Sequence, residues 1–485
     1  MKRLLIILLA TNFFAFKVSF AQKRATYKPA IEPCPCAFKA DSSLKTICGY
    51  LIVPENRTKP AGKNIKLPFI IAESSNPAKK KDPVLFTGGG PGSSSLGFIG
   101  SAHHRSLIKD RDLIVFEQRG THFAVPNLDC NEVGEALKKA FIYNLPKDSM
   151  IQAGVKQCRA KLLAQGIDLT AYNTVESAAD IEDLRKALKI DSLNLFGISY
   201  SGGLMPTVLK NYPSGIRSLI LDSPLPEFVN IDEEELVNFN EALYTVLAKY
   251  EADSSTSTLP YGELQHSYKQ YFTAITGKDF TIKYLPKDAK DSLIIHYSQS
   301  ELIGFLEGVL FDFSRIKEIP FIVSEMIKGH HEVYIKEFLD GIFNGGGPSG
   351  MRLSVYCSDK MAYARDALIK QQYQLYPYMA GAGFYVNDVY RAMCDCWKVP
   401  PIIAATKMPF YSKVPVLLGA GDSDPATRPI YNDMLHHFMP NSQRVLFKGR
   451  SHGPLIRKEG DTLIYQFLNN PHKKVISTDT AIVVY

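Results

Sequence analysis

Gly197-Ile198-Ser199-Tyr200-Ser201-Gly202-Gly203 stands between the apolar run Ser192-Leu193-Asn194-Leu195-Phe196 and a helical pattern over Leu204 to Asn211. A strand-to-helix turn this tight holds its central residue in a strained backbone conformation, and only small neighbours two positions to either side leave room for it. The strain lifts the Ser199 hydroxyl clear of the sheet, at the positive end of the helix that follows. A serine so placed is a candidate nucleophile. Ser201 occupies the position where a second glycine is usual and is small enough to fit.

Other apolar runs end in the same way, in glycine or small residues followed by a helical pattern. Pro83-Val84-Leu85-Phe86-Thr87 runs into Gly88-Gly89-Gly90-Pro91-Gly92, and Asp112-Leu113-Ile114-Val115-Phe116 into Glu117-Gln118-Arg119-Gly120. Ile216 to Leu221 leads to Asp222, and Val414-Pro415-Val416-Leu417-Leu418 to Gly419. Continuous apolar strands are buried on both faces, as in a parallel sheet covered by helices, so the expected class is α/β with a mostly parallel central sheet. From Pro226 to Pro409 the pattern changes to helical stretches, a Ser/Thr-rich loop at Ser254 to Thr258 and a glycine-rich loop at Gly345 to Pro348. An insertion at the C-terminal ends of parallel strands lies over the place where such sheets bind ligands, so this segment reads as a large, mainly helical lid.

A nucleophilic serine needs a base, and the base an orienting acid. Past the penultimate apolar strand comes Gly421-Asp422-Ser423-Asp424-Pro425-Ala426-Thr427, and past the last, Val445-Leu446-Phe447, comes Ser451-His452-Gly453. The order Ser199, Asp424, His452 is that of an α/β-hydrolase triad. Asp422 competes for the acid. Asp424 is preferred because Pro425 restrains the turn behind it and a helical pattern starts at Ala426, leaving Asp422 to tie the loop. The oxyanion needs two backbone donors. The Tyr200 amide supplies one, and Gly90 or Gly89 the other, since Pro91 has no N–H. The glycine loop lacks the spacing and lysine of a phosphate-binding P-loop. Arg119 is expected to form a structural ion pair under the site.

Gly-Gly-Gly-Pro-Gly at 88–92, Glu-Gln-Arg-Gly-Thr at 117–121, Gly-Ile-Ser-Tyr at 197–200 and Asp-Pro-Ala-Thr at 424–427 together resemble the proline iminopeptidase and tripeptidyl-aminopeptidase branch of the α/β-hydrolases, exported serine exopeptidases with a TAP-like C-terminal part. The similarity extends to Cys48 to Glu55 and Asp180 to Arg185. Gly88 replaces a usual His, and Glu117 a commoner Asp. The resemblance implies an α/β-hydrolase core over 22–225 and 410–485, split around a lid at 226–409. It implies the disulfides Cys357 with Cys394 and Cys36 with Cys48. It also implies a peptide substrate with a free N-terminus, and nothing in the sequence calls for a metal or organic cofactor. Recognition of an α-amino group calls for a buried lid carboxylate, for which Asp359 and Glu301 are the candidates. A carboxylesterase would carry the same triad, and a catalytically silent binding protein is the alternative outside enzymes.

At the N-terminus, Met1-Lys2-Arg3 precedes the apolar Leu4 to Ala10, and Ser19-Phe20-Ala21 offers small residues for cleavage before Gln22. That run is shorter than the ~20 residues that span a bilayer, so it reads as an export signal at residues 1–21 and the protein as secreted or periplasmic, with no stable membrane span. Eight cysteines in an exported chain read as disulfides, with Cys130 to Cys158 the local pair and Cys34 and Cys396 unassigned. Cys34-Pro-Cys36 and Cys394-Asp-Cys396 lack the spacing of a zinc knuckle, so no metal is expected. Forty-five percent hydrophobic and 22% charged residues over 485 positions exclude disordered and polytopic membrane classes. The formal charge of +7 falls when Lys2, Arg3 and Lys17 leave with the signal, giving 53 basic against 49 acidic residues. With no dense basic block beyond Lys79 to Lys81, nucleic acid is not an expected partner.

Overall fold

The structure, a computed structural model, describes residues 27–38, 44–100, 107–253, 262–287 and 289–485. The expected export signal at 1–21 lies outside the described residues. The strands are β1 (Ala30–Pro33), β2 (Thr46–Pro54), β3 (Asn64–Ala72), β4 (Val84–Thr87), β5 (Leu113–Phe116), β6 (Leu193–Ile198), β7 (Ile216–Asp222), β8 (Phe280–Tyr284), β9 (Leu293–Tyr297), β10 (Val416–Gly421), β11 (Ser442–Phe447) and β12 (Ile482–Val484). All but β8 and β9 form one ten-stranded sheet in the order β1-β2-β3-β5-β4-β6-β7-β10-β11-β12. From β5 to β11 every pairing is parallel, and β1, β2, β3 and β12 add antiparallel edges.

The parallel strands are apolar throughout because both faces are covered. Alternate residues point to opposite sides, and the two cores record this. Leu85, Ile114, Leu195 and Leu219 pack on one side with the helices Thr174–Ala187 and Tyr200–Asn211, through Ile181, Leu184, Leu204 and Val208. Val84, Phe86, Val115, Phe196 and Ile220 pack on the other with Leu463, Ile464 and Phe467 of the helix Lys458–Asn469. Each such fully buried Leu, Ile or Phe contributes about 1.5–3 kcal/mol.

Between β7 and β10 the chain leaves the sheet. It forms the helices Glu235–Ala252, Glu263–Ala274, Gln299–Phe311, Ile319–Ile327, Glu332–Asn344 and Asp366–Leu375, with shorter ones between them. The helical pattern gave no hint of the antiparallel β8–β9 hairpin in this stretch, which packs Phe280 on Tyr297 with ring centroids 5.4 Å apart. Disulfides join Cys36 to Cys48, Cys130 to Cys158 and Cys357 to Cys394, with Cα separations of 5.3, 5.4 and 5.1 Å. Cys34 and Cys396 are free thiols. Three such bonds fit an oxidising compartment. No described helix is long and apolar enough to cross a membrane.

Arg119, just past β5, is fully buried and makes the ion pair its position suggested. Nε and Nη2 each donate to Asp180 at 2.7 Å, and Nη1 donates to the carbonyls of Glu55 and Ala171 at 2.6 and 2.7 Å. Arg57 reaches the same Asp180 at 2.5 Å, and also Glu176 and Asp183. The cluster fastens β2 and the loop after β5 to the helix Thr174–Ala187. Removing one member of a buried charge cluster costs about 3–5 kcal/mol, because the others remain buried without it. Arg119→Met is therefore expected to lower the urea unfolding free energy by about that amount. A loss below about 1 kcal/mol would mean that Arg57 alone neutralises Asp180.

Candidate active site

Ser199 follows β6 with φ 58° and ψ −123°, a conformation that costs a non-glycine residue about 1–3 kcal/mol. Three backbone hydrogen bonds hold it. The Ser199 N–H donates to the Asp222 carbonyl at 2.9 Å, and its own carbonyl accepts from Gly202 at 2.8 Å and Leu225 at 3.0 Å. The turn leaves no space for larger neighbours: a Cβ on Gly197 would lie 2.3 Å from the Ser201 carbonyl oxygen, and one on Gly202 would lie 2.5 Å from Pro224. Ser201 in place of glycine adds a link, since its buried hydroxyl donates to the Gly88 carbonyl. Gln118 Nε2 reaches Gly88 O at 2.8 Å and Ser201 Oγ at 3.0 Å. The Ser199 turn and the glycine loop are thereby tied together. Glu117 braces the loop from behind, accepting from the Ser95 amide at 2.8 Å and the Thr121 hydroxyl at 2.8 Å.

His452 Nδ1 lies 2.8 Å from Asp424 Oδ2. Asp424 is fully buried and also accepts from the Ala426 and Thr427 amides and the Thr427 hydroxyl, all at 2.9 Å. Burial works against its charge, but His452 and these donors outweigh it and hold the carboxyl below its ordinary value. Burial likewise opposes a charged His452 ring, and the Asp424 carboxylate overcomes that, so the imidazole is raised above its ordinary value. Asp422 turns away: it accepts from the Gly449 amide at 2.9 Å and pairs with Lys249. Asp222, at the end of β7, accepts from the Ile456 amide at 2.9 Å, and neighbouring Ser223 accepts from the Gly453 amide at 3.0 Å, so this strand end holds the His452 loop. Burial pushes Asp222 up to about 7.

Ser199, His452, Gly89 and Gly90 line one cavity of about 520 Å³. Gly89 abuts the serine: a Cβ there would lie 2.8 Å from Ser199 Cβ. Tyr200 opens the helix Tyr200–Asn211, so its amide is at that helix's positive end. The Gly90 carbonyl accepts from Arg352 Nη1 at 2.5 Å, and Arg352 pairs with Asp388. The lid thus touches the glycine loop directly.

The two lid carboxylates suggested for an amino group do not line this cavity. Asp359 is fully buried behind Tyr200, where it accepts from the Thr174 amide at 3.0 Å and from the Ser358 hydroxyl. Glu301 is consumed by the capping box of its own helix and by Lys147 at 2.5 Å. It also accepts from the Tyr385 hydroxyl at 2.7 Å, so it orients a ring of the cavity wall without facing the cavity itself. The acids that line it are Glu235, Glu307 and Asp388, the last paired with Arg352. Glu307 is buried with no hydrogen-bond partner for Oε2 among the described residues. Burial holds the Glu235 and Glu307 carboxyls well above the usual range, and Asp232 adds to the shift at Glu235. A signal existed for Glu307, a lone acid inside the apolar run Leu302 to Leu310. Among the described residues, Cys130, Glu132 and Cys158 are near enough together to hold a metal ion, but both thiols are spent in a disulfide.

The sequence family described as alpha/beta hydrolase fold matches residues 82–302, and that described as TAP-like protein matches residues 381–480. Serine protease Hip1 of Mycobacterium tuberculosis is 23% identical over 408 residues, covering 79% of this chain and 76% of that protein. Tripeptidyl aminopeptidase of Streptomyces lividans is 27% identical over 188 residues, covering 36% of this chain and 35% of that one. Among solved structures, proline iminopeptidase of Mycobacterium smegmatis aligns over 87% of this chain and 98% of its own, with a TM-score of 0.43 and 14% identity. Ser199 falls within the first matched region and Asp424 and His452 within the second, and with the parallel sheet and the turn after β6 they give the chain an alpha/beta hydrolase fold, with a C-terminal part similar to the TAP-like proteins.

Proposed function

We propose that the protein is an exported serine hydrolase of the aminopeptidase kind, which removes N-terminal residues from short peptides through an acyl-enzyme on Ser199. Neutral His452 takes the Ser199 proton as Oγ attacks the scissile carbonyl, while Asp424 holds the ring with Nδ1 protonated. The oxyanion meets the amides of Tyr200 and of Gly89 or Gly90. As the intermediate collapses, the C–N bond breaks and His452 returns its proton to the leaving amine. Water, deprotonated by the same imidazole, then hydrolyses the acyl ester and restores Ser199.

The observation that carries the peptidase reading is the pair Glu235 and Glu307 in the wall of the same cavity as Ser199, with Glu307 Oε2 unpartnered among the described residues. A buried carboxyl without a donor is costly. An α-ammonium group brings three donors and a positive charge: Glu307 Oε2 lacks both, and Glu235, which already accepts from Asn387, lacks the charge. The relatives named as a serine protease and a tripeptidyl aminopeptidase agree with that choice. A carboxylesterase would use the same triad but has no need of acids in the wall.

Acetylating the N-terminus removes the charge these carboxyls would meet. Losing one partner of a buried charge pair costs about 2 kcal/mol or more, so kcat/KM for an N-acetylated peptide anilide is expected to fall about 30-fold or more below that of the free amine. Equal turnover of the two, or a preference for short aryl esters over both, would contradict the aminopeptidase reading.

The pH profile follows from the raised groups. His452 accepts a proton only when neutral, and its imidazole is raised, so activity is lost as pH falls through a value above the ordinary ~6.5. Glu235 and Glu307, also raised, bind an ammonium group only when ionised, so KM rises in the same acid direction. An acid limb of kcat/KM centred below about 6 would contradict both statements.

A further inference from the structure

Beyond one wall of the active-site cavity lies a second cavity of about 480 Å³, lined in part by Asp148, Asp232, Tyr373, Tyr390 and Arg391. Glu235 lines both cavities. Asn387 faces the active-site side and Asp232 the outer side. Asn387 Nδ2 donates to Asp232 Oδ1 and to Glu235 Oε2, each at 2.9 Å. At this point the partition is closed by side chains, pinned by one amide. Asn387 follows the short helix Gly383–Val386, and Glu235 opens the helix Glu235–Ala252, so the two halves of the closure come from separate lid segments. The partition is also under-satisfied: Asn387 Oδ1 and Asp232 Oδ2 are buried with no partner among the described residues. In the outer cavity Arg391 is neutralised by Asp366 at 2.6 Å, leaving Asp148, Asp232 and Glu235 against Lys370 as its charged lining.

We propose that Asn387 is a specificity-determining residue: by bridging Asp232 and Glu235 it closes the active-site cavity and limits how much chain on the acyl side of the scissile bond the site accepts. This rests on the aminopeptidase reading, in which the substrate's amine ends at Glu235 and its acyl part lies between that wall and Ser199. When the amide bridge is removed, the active-site cavity becomes continuous with the outer one. Its acid-rich lining then receives the cationic end of a longer N-terminal segment.

The test compares wild type with Asn387→Ala, and with Asn387→Ser, a smaller cut that retains a hydroxyl for one of the two acids. Substrates are free-amine peptide p-nitroanilides of one to six residues sharing the residue at the scissile bond, with each enzyme's profile normalised to its own best substrate. Wild type is expected to show a sharp length limit, and both variants to raise relative kcat/KM for the peptides just past it by about tenfold or more. A parallel series of p-nitrophenyl alkanoates of increasing acyl length probes the same wall without an amine. If wild type turns over the esters and not the peptides, the aminopeptidase reading fails, and a shift of the ester length limit in the variants still supports the partition. Profiles of folded variants that match wild type in both series would overturn it. Folding is checked by circular dichroism and thermal midpoint, and Asn387→Ser carries the comparison if Asn387→Ala does not fold.

Discussion

The backbone of Ser199, at φ 58° and ψ −123°, is tolerable only because its surroundings leave no alternative. Its amide and carbonyl are bonded to Asp222, Gly202 and Leu225, and the neighbouring glycines are packed to distances that a Cβ could not share. The same contacts organise the site around the serine. Asp222, whose carbonyl holds Ser199, uses its carboxyl to hold the loop that carries His452, and Ser201 on the other side of the turn holds the Gly88 carbonyl. Ser199, the His452 loop and the glycine loop are therefore positioned by one connected set of hydrogen bonds at the ends of β4, β6 and β7.

The parts of this arrangement that were legible from sequence are those encoded locally. Continuous apolar runs ending in glycine mark parallel strands because burial on both faces leaves no room for alternation, and the small residues around Ser199 mark the turn because sterics demand them. The order of Ser199, Asp424 and His452 could be read because each follows its own strand. The N-terminal β1 to β3 edge and the β8–β9 hairpin carry weaker patterns, since edge strands are half exposed. The lid acids were not legible. Glu301 and Asp359 resemble site residues in sequence, but a cap, a lysine and a buried amide claim them, and such partners are decided by tertiary packing. Glu235 and Asn387 gave no signal at all, because they meet only when two distant lid segments close on one another.

The lid does more than cover the sheet. It contributes acids to the cavity that Ser199 lines, the Arg352 that reaches the Gly90 carbonyl, and Phe311, whose ring stands edge-on to His452 with centroids 5.4 Å apart. Carboxyls buried at this depth lower stability unless a ligand supplies the missing charge. Core and lid thus contribute different groups to one cavity: Ser199 and His452 come from the core, and Glu235 and Glu307 from the lid.

The most direct test of this arrangement is covalent. A fluorophosphonate reacts with a serine only when a neighbouring base and oxyanion donors activate it. Incubation with wild type, followed by proteolysis and mass spectrometry, should place a single adduct on the peptide containing Ser199, with labelling abolished in Ser199→Ala and strongly slowed in His452→Ala. Labelling of Ser199→Ala at the wild-type rate, or of a different residue in wild type, would contradict the assignment of Ser199 as the nucleophile.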